Sequence, residues 1–291
     1  MKKVMHLVKV REKVENKQGK LININKDLYT IMNGNSVFLC TARGKIRNEK
    51  LLVGDNVIFN ESNKTIEEIL PRKNSLIRPL VSNIDKLFII TSTHIPKFSS
   101  YLIDKFLVIA FSNNIIPYII LTKEDLINKK EKQEIKKFIK YYKKIGIKVY
   151  SNKKINKIKK EIKNNLVALT GQTGAGKSTL LNKIDKNLNL ETNEVSMHLK
   201  RGKHTTRMVT LHKLNNGLIA DTPGFSSIEL NISKEEVKKY FIEFQSKCKY
   251  KTCNHINEDG CDVIKRVKNK EILEERYENY KKIYEEMKNE R

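Results

Sequence analysis

The run Gly171-Gln-Thr-Gly-Ala-Gly176-Lys177-Ser178 narrows the folds open to this chain more than any other stretch. It matches G-x-x-x-x-G-K-[ST] in full, between an apolar strand pattern (Leu166 to Thr170) and a helical one (Ser178-Thr-Leu-Leu-Asn). The glycines let backbone N–H groups curl around an anion at positions where a Cβ would clash. The following helix turns its positive end toward that anion. Lys177 is the candidate contact for β- and γ-phosphates, and Ser178 the candidate Mg²⁺ ligand. Gly171, Gln172, Thr173, Gly174, Ala175, Gly176 and Thr179 complete the expected phosphate-binding set.

Strands alternate with helices on both sides of this loop, which predicts a doubly wound α/β sheet. Leu87 to Thr91 and Ile116 to Leu121 read as buried parallel strands, with a helix over Leu102 to Phe111 between them. A Lys-rich helix around Glu131 to Lys144 and a strand at Ile147 to Tyr150 follow. Thr122-Lys123-Glu124-Asp125 comes directly after the second strand, where a base-binding loop belongs. The Asp125 carboxylate can accept two hydrogen bonds from a guanine edge, whereas adenine would leave it unpaired. Thr122 stands where Asn is commoner in such motifs and offers a hydroxyl in place of an amide. The pattern therefore predicts GTP or GDP with Mg²⁺, a P-loop ATPase being the rival that nucleotide competition separates. Ser151 is a candidate for a second base-side loop.

The base motif precedes the phosphate loop, the reverse of the usual order. That is a circular permutation, tolerable when chain ends lie close together. After the loop comes Gly202-Lys-His-Thr-Thr-Arg207, with Thr205 or Thr206 expected to close over Mg²⁺ and γ-phosphate. Asp221-Thr-Pro-Gly224 then follows the strand Leu218 to Ala220 and matches D-x-x-G. Asp221 would serve the Mg²⁺ shell and the Gly224 amide the γ-phosphate. Phe225 occupies the position where many GTPases carry Gln to orient water, so slow intrinsic hydrolysis is expected. His204 is the candidate catalytic residue for positioning water, against the alternative of a histidine that binds a partner.

Cys248, Cys253, His255 and Cys261 supply three thiolates and one imidazole within fourteen residues, a set suited to one tetrahedral, structural Zn²⁺. The fourth cysteine, Cys40, reads as a packed strand residue. Ser233-Lys-Glu-Glu236 is a capping box opening a helix, and Leu273, Tyr277, Tyr280, Tyr284 and Met287 mark one face of a terminal helix packed on the body. At the other end, short apolar stretches (Leu21 to Ile24, Val37 to Cys40, Asn56 to Phe59) alternate with turn signals at Gly19, Asn33-Gly34 and Gly54-Asp55. They suggest a small barrel of OB type.

Lys plus Arg number 58 against 33 Asp plus Glu, a formal net charge of +25. Such an excess attracts polyanions, nucleic acid first, although the Lys, Asn and Ile richness also fits a general compositional bias. Residues 129 to 163 hold fifteen Lys and three Glu, equally compatible with a solvated helix face and an RNA-facing surface. The basic start is broken by Lys9 before an apolar run can form, and no apolar stretch is long enough to span a bilayer. A cytoplasmic, monomeric protein without a membrane partner is expected.

These pieces together resemble the ribosome small-subunit-dependent GTPase A family (RsgA/YjeQ), nearly end to end. The resemblance rests on Cys40-Thr-Ala-Arg-Gly44, Val53-Gly-Asp55, the Pro71 to Pro79 connector, Thr122 to Asp125, the phosphate loop, Gly202-Lys-His-Thr-Thr, Asp221-Thr-Pro-Gly-Phe225 and the Cys/Cys/His/Cys cluster. It implies an OB-fold over 1–72, a circularly permuted P-loop GTPase domain over 80–230, and a zinc-binding helical domain over 231–291. It further implies action in late maturation of the 30S ribosomal subunit and contact with 16S rRNA. Hydrolysis would be slow alone and stimulated by the subunit, and the assembly factor RbfA would be released. A competing reading is an RNA-docking assembly factor that holds GTP only as a structural ligand.

Overall fold

The computed structural model describes residues 16–76, 80–185, 209–221, 230–245 and 247–287, apart from the side chains of Lys45 and Asp221. The first five strands are β1 (Asn16–Asn25), β2 (Leu28–Asn33), β3 (Ser36–Ala42), β4 (Asn56–Asn60) and β5 (Thr65–Ile69). They pair in the order β1-β2-β3-β5-β4, and β4 returns to β1 to close a five-stranded barrel of OB type. Alternation along each strand sends Leu21, Ile31, Cys40, Val57, Phe59 and Ile66 inward, all within 1% of full burial. Asn33-Gly34 and Gly54-Asp55 mark chain reversals as expected, but Gly19 does not. It lies inside β1, where a Cβ would stand 2.3 Å from Ile31 Cγ2, so this glycine answers to barrel packing rather than to a turn.

A connector leaves the barrel under the control of Asp55, which is fully buried. Asp55 accepts from the Leu52 N–H at 2.8 Å, from Arg72 Nε at 2.7 Å and from Ser82 Oγ at 2.6 Å. A small hairpin, β6 (Ser75–Leu76) with β7 (Val81–Ser82), then delivers the chain into the main sheet.

That sheet is built from β8 (Lys86–Ser92), α1 (Ser100–Ser112), β9 (Ile116–Thr122), α2 (Lys129–Lys144), β10 (Lys148–Ser151), α3 (Ile155–Ile162), β11 (Leu166–Thr170), α4 (Lys177–Ile184), β12 (Thr210–Leu214) and β13 (Gly217–Asp221). The order is β10-β9-β8-β11-β13-β12, parallel except for β12. The chain runs outward from β8 to β10, then returns to β11 on the other side of β8. The switch point therefore lies between β8 and β11, where open α/β sheets bind ligands beyond the strand ends. β12 also meets the barrel, with Asn23 opposite Thr210 and Asn23 Nδ2 donating to Thr210 Oγ1 at 2.9 Å. Glu161 of α3 fastens three strands together. Burial opposes its charge, but hydrogen bonds from Lys86 (2.9 Å), Tyr118 (2.7 Å) and Tyr150 (3.0 Å) hold its carboxyl down at about 2.

The chain continues with a 3-10 helix (Lys234–Tyr240), the cysteine-bearing loop, α5 (Asp262–Lys268) and α6 (Glu274–Glu286). The capping box at Ser233 and Glu236 is present, but it opens a 3-10 helix rather than an α-helix. The Phe241 N–H closes on the Lys238 carbonyl three residues back, and this tighter winding turns Val237, Phe241 and Phe244 into one buried cluster. Tyr277, Tyr280 and Ile283 of α6 join the same core as α1, so the tail packs on the body as the periodicity predicts. Part of the lysine run serves that joint. Lys137 of α2 pairs with Glu275, and Lys144 Nζ donates to the Glu271 carbonyl at 3.1 Å. No helix among the described residues is long and apolar enough to cross a membrane.

Candidate nucleotide site and metal centre

The described candidate residues gather beyond the C-terminal ends of the parallel strands. Thr122 ends β9, Ser151 ends β10, the phosphate loop follows β11, and Asp221 ends β13. At Gly171 φ is +140°, and a Cβ would lie 2.0 Å from the Ile90 carbonyl oxygen, so only glycine lets the loop leave β11 this close to β8. The loop then folds over its own lysine. Lys177 Nζ donates to the carbonyls of Gly171 and Gln172, each at 3.0 Å. Its ammonium thus sits at the mouth of the loop, where the first turn of α4 presents N–H groups.

The base motif and the phosphate loop are tied directly. Thr122, 2% exposed, donates its hydroxyl to the Ala175 carbonyl at 2.6 Å. Lys123 adopts φ +58° and donates from Nζ to the Gly174 carbonyl at 2.9 Å and to the Ile95 carbonyl. Thr122, standing where Asn is commoner in such motifs, thus links the two loops through its hydroxyl. Asp125 is exposed at the open end of this pair, and Glu124 is half-buried. Ser151 stands beside Leu121 in register, its Oγ accepting from the Lys153 N–H at 3.2 Å.

The loop after β8 is an addition that the motifs do not announce. Thr93 donates from both N–H (3.1 Å) and hydroxyl (3.0 Å) to the Thr122 carbonyl, which fixes the start of the base loop. His204, Thr205, Thr206, Gly224 and Phe225 lie outside the described residues, as does the side chain of Asp221. Ser178 and Thr179 fall in the first turn of α4, within the loop's reach. An anion seated here would meet loop amides, a helix N-terminus and one ammonium, the arrangement that stabilises a polyphosphate and the charge developing on it during transfer.

The second cluster lies in the tail. His255 Nδ1 stands 3.5 Å from Cys248 Sγ, 3.4 Å from Cys253 Sγ and 3.4 Å from Cys261 Sγ. Cys248 and Cys261 sulfurs are 3.9 Å apart. Tetrahedral zinc, with Zn–S of about 2.3 Å and Zn–N of about 2.0 Å, needs edges of about 3.8 Å between sulfurs and about 3.5 Å from sulfur to nitrogen. The four donors fit that ion. The backbone around them is also fixed: Tyr277 OH donates to the His255 carbonyl at 2.8 Å, and the Asp262 N–H reaches Cys248 Sγ at 3.3 Å. Four protein ligands leave no open position, so an ion here would cross-link the loop rather than activate water. Purified protein is expected to carry about one zinc per chain by metal analysis. Cys253→Ser is expected to lose it and to melt at lower temperature, and an equal zinc content in that variant would contradict the assignment.

Base loop, phosphate loop and Asp221 strand in that chain order, on a parallel sheet joined to an OB-type barrel, define a circularly permuted P-loop GTPase. A sequence model of the RsgA GTPase family matches residues 69–231. The small ribosomal subunit biogenesis GTPase RsgA of Halalkalibacterium halodurans is 40% identical over 285 residues, covering 93% of this chain and 97% of that protein. The protein of the same name from Latilactobacillus sakei subsp. sakei is 42% identical over 286 residues, covering 93% and 96%. The crystal structure of YjeQ from Thermotoga maritima superposes with a TM-score of 0.83 at 33% identity, over 95% of this chain and 100% of that one. YloQ, described as a circularly permuted GTPase, gives 0.81 at 32% identity over 95% and 96%. The chain belongs to the RsgA GTPase family and is a GTP-hydrolysing enzyme.

Proposed function

We propose that this enzyme uses GTP in the biogenesis of the small ribosomal subunit, docking on immature 30S particles through 16S rRNA. The supporting observation is the Thr122–Ala175 and Lys123–Gly174 pair of contacts, which makes one continuous cradle of the base and phosphate loops. The curated relatives, at about 40% identity over most of both chains, carry the name of a small ribosomal subunit biogenesis GTPase. The net charge of +25 suits a polyanionic partner.

In this reading Asp125 selects guanine, with Thr122, Lys123 and Glu124 holding the base loop. Residues 171–179 wrap the phosphates, and Lys177 neutralises the β- and γ-oxygens. Ser178 and Thr206 would hold Mg²⁺, which supplies further charge neutralisation on the phosphates when bound. Thr205, Asp221 and the Gly224 amide complete the γ-phosphate side, and His204 orients water. The tail holds one structural Zn²⁺ at Cys248, Cys253, His255 and Cys261. The chain works as a monomer in the cytoplasm, divided near residues 72–80 and 230. Ordering of the switches by γ-phosphate, and their release after hydrolysis, changes affinity for the subunit and helps RbfA leave.

The test is multiple-turnover phosphate release with and without 30S subunits, repeated at rising salt. Stimulation by the subunit that fades steeply with salt is the expected result. Turnover indifferent to 30S would favour an RNA-docking factor that holds GTP as a structural ligand.

A further inference from the structure

The parallel sheet ends in an open edge. β10 pairs with β9 on one side and with no strand on the other among the described residues. The Asn152 N–H donates to the Leu121 carbonyl at 2.8 Å, so strand alternation turns Tyr150 and Lys148 toward β9 and the N–H and C=O of Val149 outward. The Ile147 N–H is already used by the Tyr142 carbonyl and the Ser151 carbonyl by the Lys154 N–H, both at 2.9 Å, which confines the bare edge to a short stretch centred on Val149.

A groove of about 580 Å³ runs along this edge and is lined by every residue from 146 to 151. Ile139 and Lys143 of α2 form one wall, and Lys154 with Lys157 of α3 the other. Lys143, Lys154 and Lys157 are exposed and have no acidic partner among the described residues. Lysines that merely blunt a sheet edge sit in the edge strand itself, as Lys148 does. These three instead come from flanking segments and converge on a concavity whose floor includes the buried Ile147 and Val149.

We propose that this groove docks an acidic, extended segment of a partner protein, which adds as a short strand to β10 and sets its carboxylates against Lys143, Lys154 and Lys157. A peptide backbone repeats one donor and one acceptor at strand spacing and can satisfy both groups of Val149, whereas an RNA strand presents mainly phosphate acceptors, with its 2′-hydroxyl donors not at that spacing. The groove also lacks a stacking platform for bases: its one aromatic, Tyr150, is tied through its hydroxyl to Glu161 at 3.0 Å. One end of the groove reaches Glu124, so a docked segment borders the base loop. The proposal does not depend on which ribosomal partner the enzyme serves.

The test uses the full chain and a fluorescent peptide of about seven residues alternating Glu and Val, read by anisotropy. Three comparisons accompany it: the same peptide N-methylated along one edge, a uridine octamer, and the variant Lys143→Glu/Lys154→Glu/Lys157→Glu. Saturable binding is expected, weakened about tenfold or more by the triple variant and by N-methylation. Hydrogen exchange at the Val149 amide slows with the peptide. Absence of peptide binding, equal binding of the N-methylated peptide, or octamer binding that alone tracks the three lysines would each overturn the proposal. The first two comparisons need only the parent protein, so they decide even if the triple variant does not fold.

Discussion

Replacing Arg276 by Met is expected to cost about 3–5 kcal/mol of folding stability, read as a lower urea midpoint. Arg276 is 1% exposed and lies where the tail meets the body. Its guanidinium pairs with Asp104 of α1 and with Glu243, and sits 4.6 Å from the Phe241 ring centre. Asp104 is itself fully buried and also accepts from Asn279 Nδ2 and from Tyr142 OH, each at 2.7 Å. Removing the cation leaves two carboxylates out of water with dipoles alone to balance them. Asp104→Asn in the same chain removes one of those charges, so the double variant is expected to recover part of the loss. A single variant that unfolds within about 1 kcal/mol of the parent would show that the network does not hold the tail.

The largest expected effect on activity comes from Lys177→Ala. Single-turnover GTP hydrolysis should fall about a hundredfold or more, because the ammonium supplies charge where the transition state gathers it. Lys177→Arg should rescue little, since a planar fork does not fit a loop that positions a single point charge between the Gly171 and Gln172 carbonyls. Melting curves of both variants should stay near the parent. If Lys177→Ala hydrolyses GTP at the parent rate, the loop is not the phosphate site.

The candidate site is legible in the sequence where the chemistry it calls for is local. A phosphate loop needs glycines at fixed offsets before a Lys, and a tetrahedral zinc site of this kind needs three thiolates and an imidazole on a short segment, so nearby letters carry the signal. Contacts between distant letters were not legible. Arg276 and Asp104 are 172 positions apart, and Asn23 meets Thr210 across 187. Thr122 read as a departure from Asn, and only the fold shows its hydroxyl on the Ala175 carbonyl. Gly19 read as a turn because glycine alone does not say whether backbone freedom or missing volume is wanted; the crowding by Ile31 decides for volume. The sequence pattern does not announce β2, β5, β6, β7, β12, α3 or α5. In α3 only Ile158 and Ile162 are fully buried, so its apolar stripe is hidden among lysines.

In the proposed function Asp125 and the loop at 171–178 hold the two ends of one guanine nucleotide. Nucleotide competition with Asp125→Asn tests it most directly. The variant should lose preference for GTP and gain it for xanthosine triphosphate, whose ring offers a carbonyl where guanine offers an amino group, while Lys177 still governs turnover of the new substrate. Unchanged preference for GTP in that variant would contradict the account.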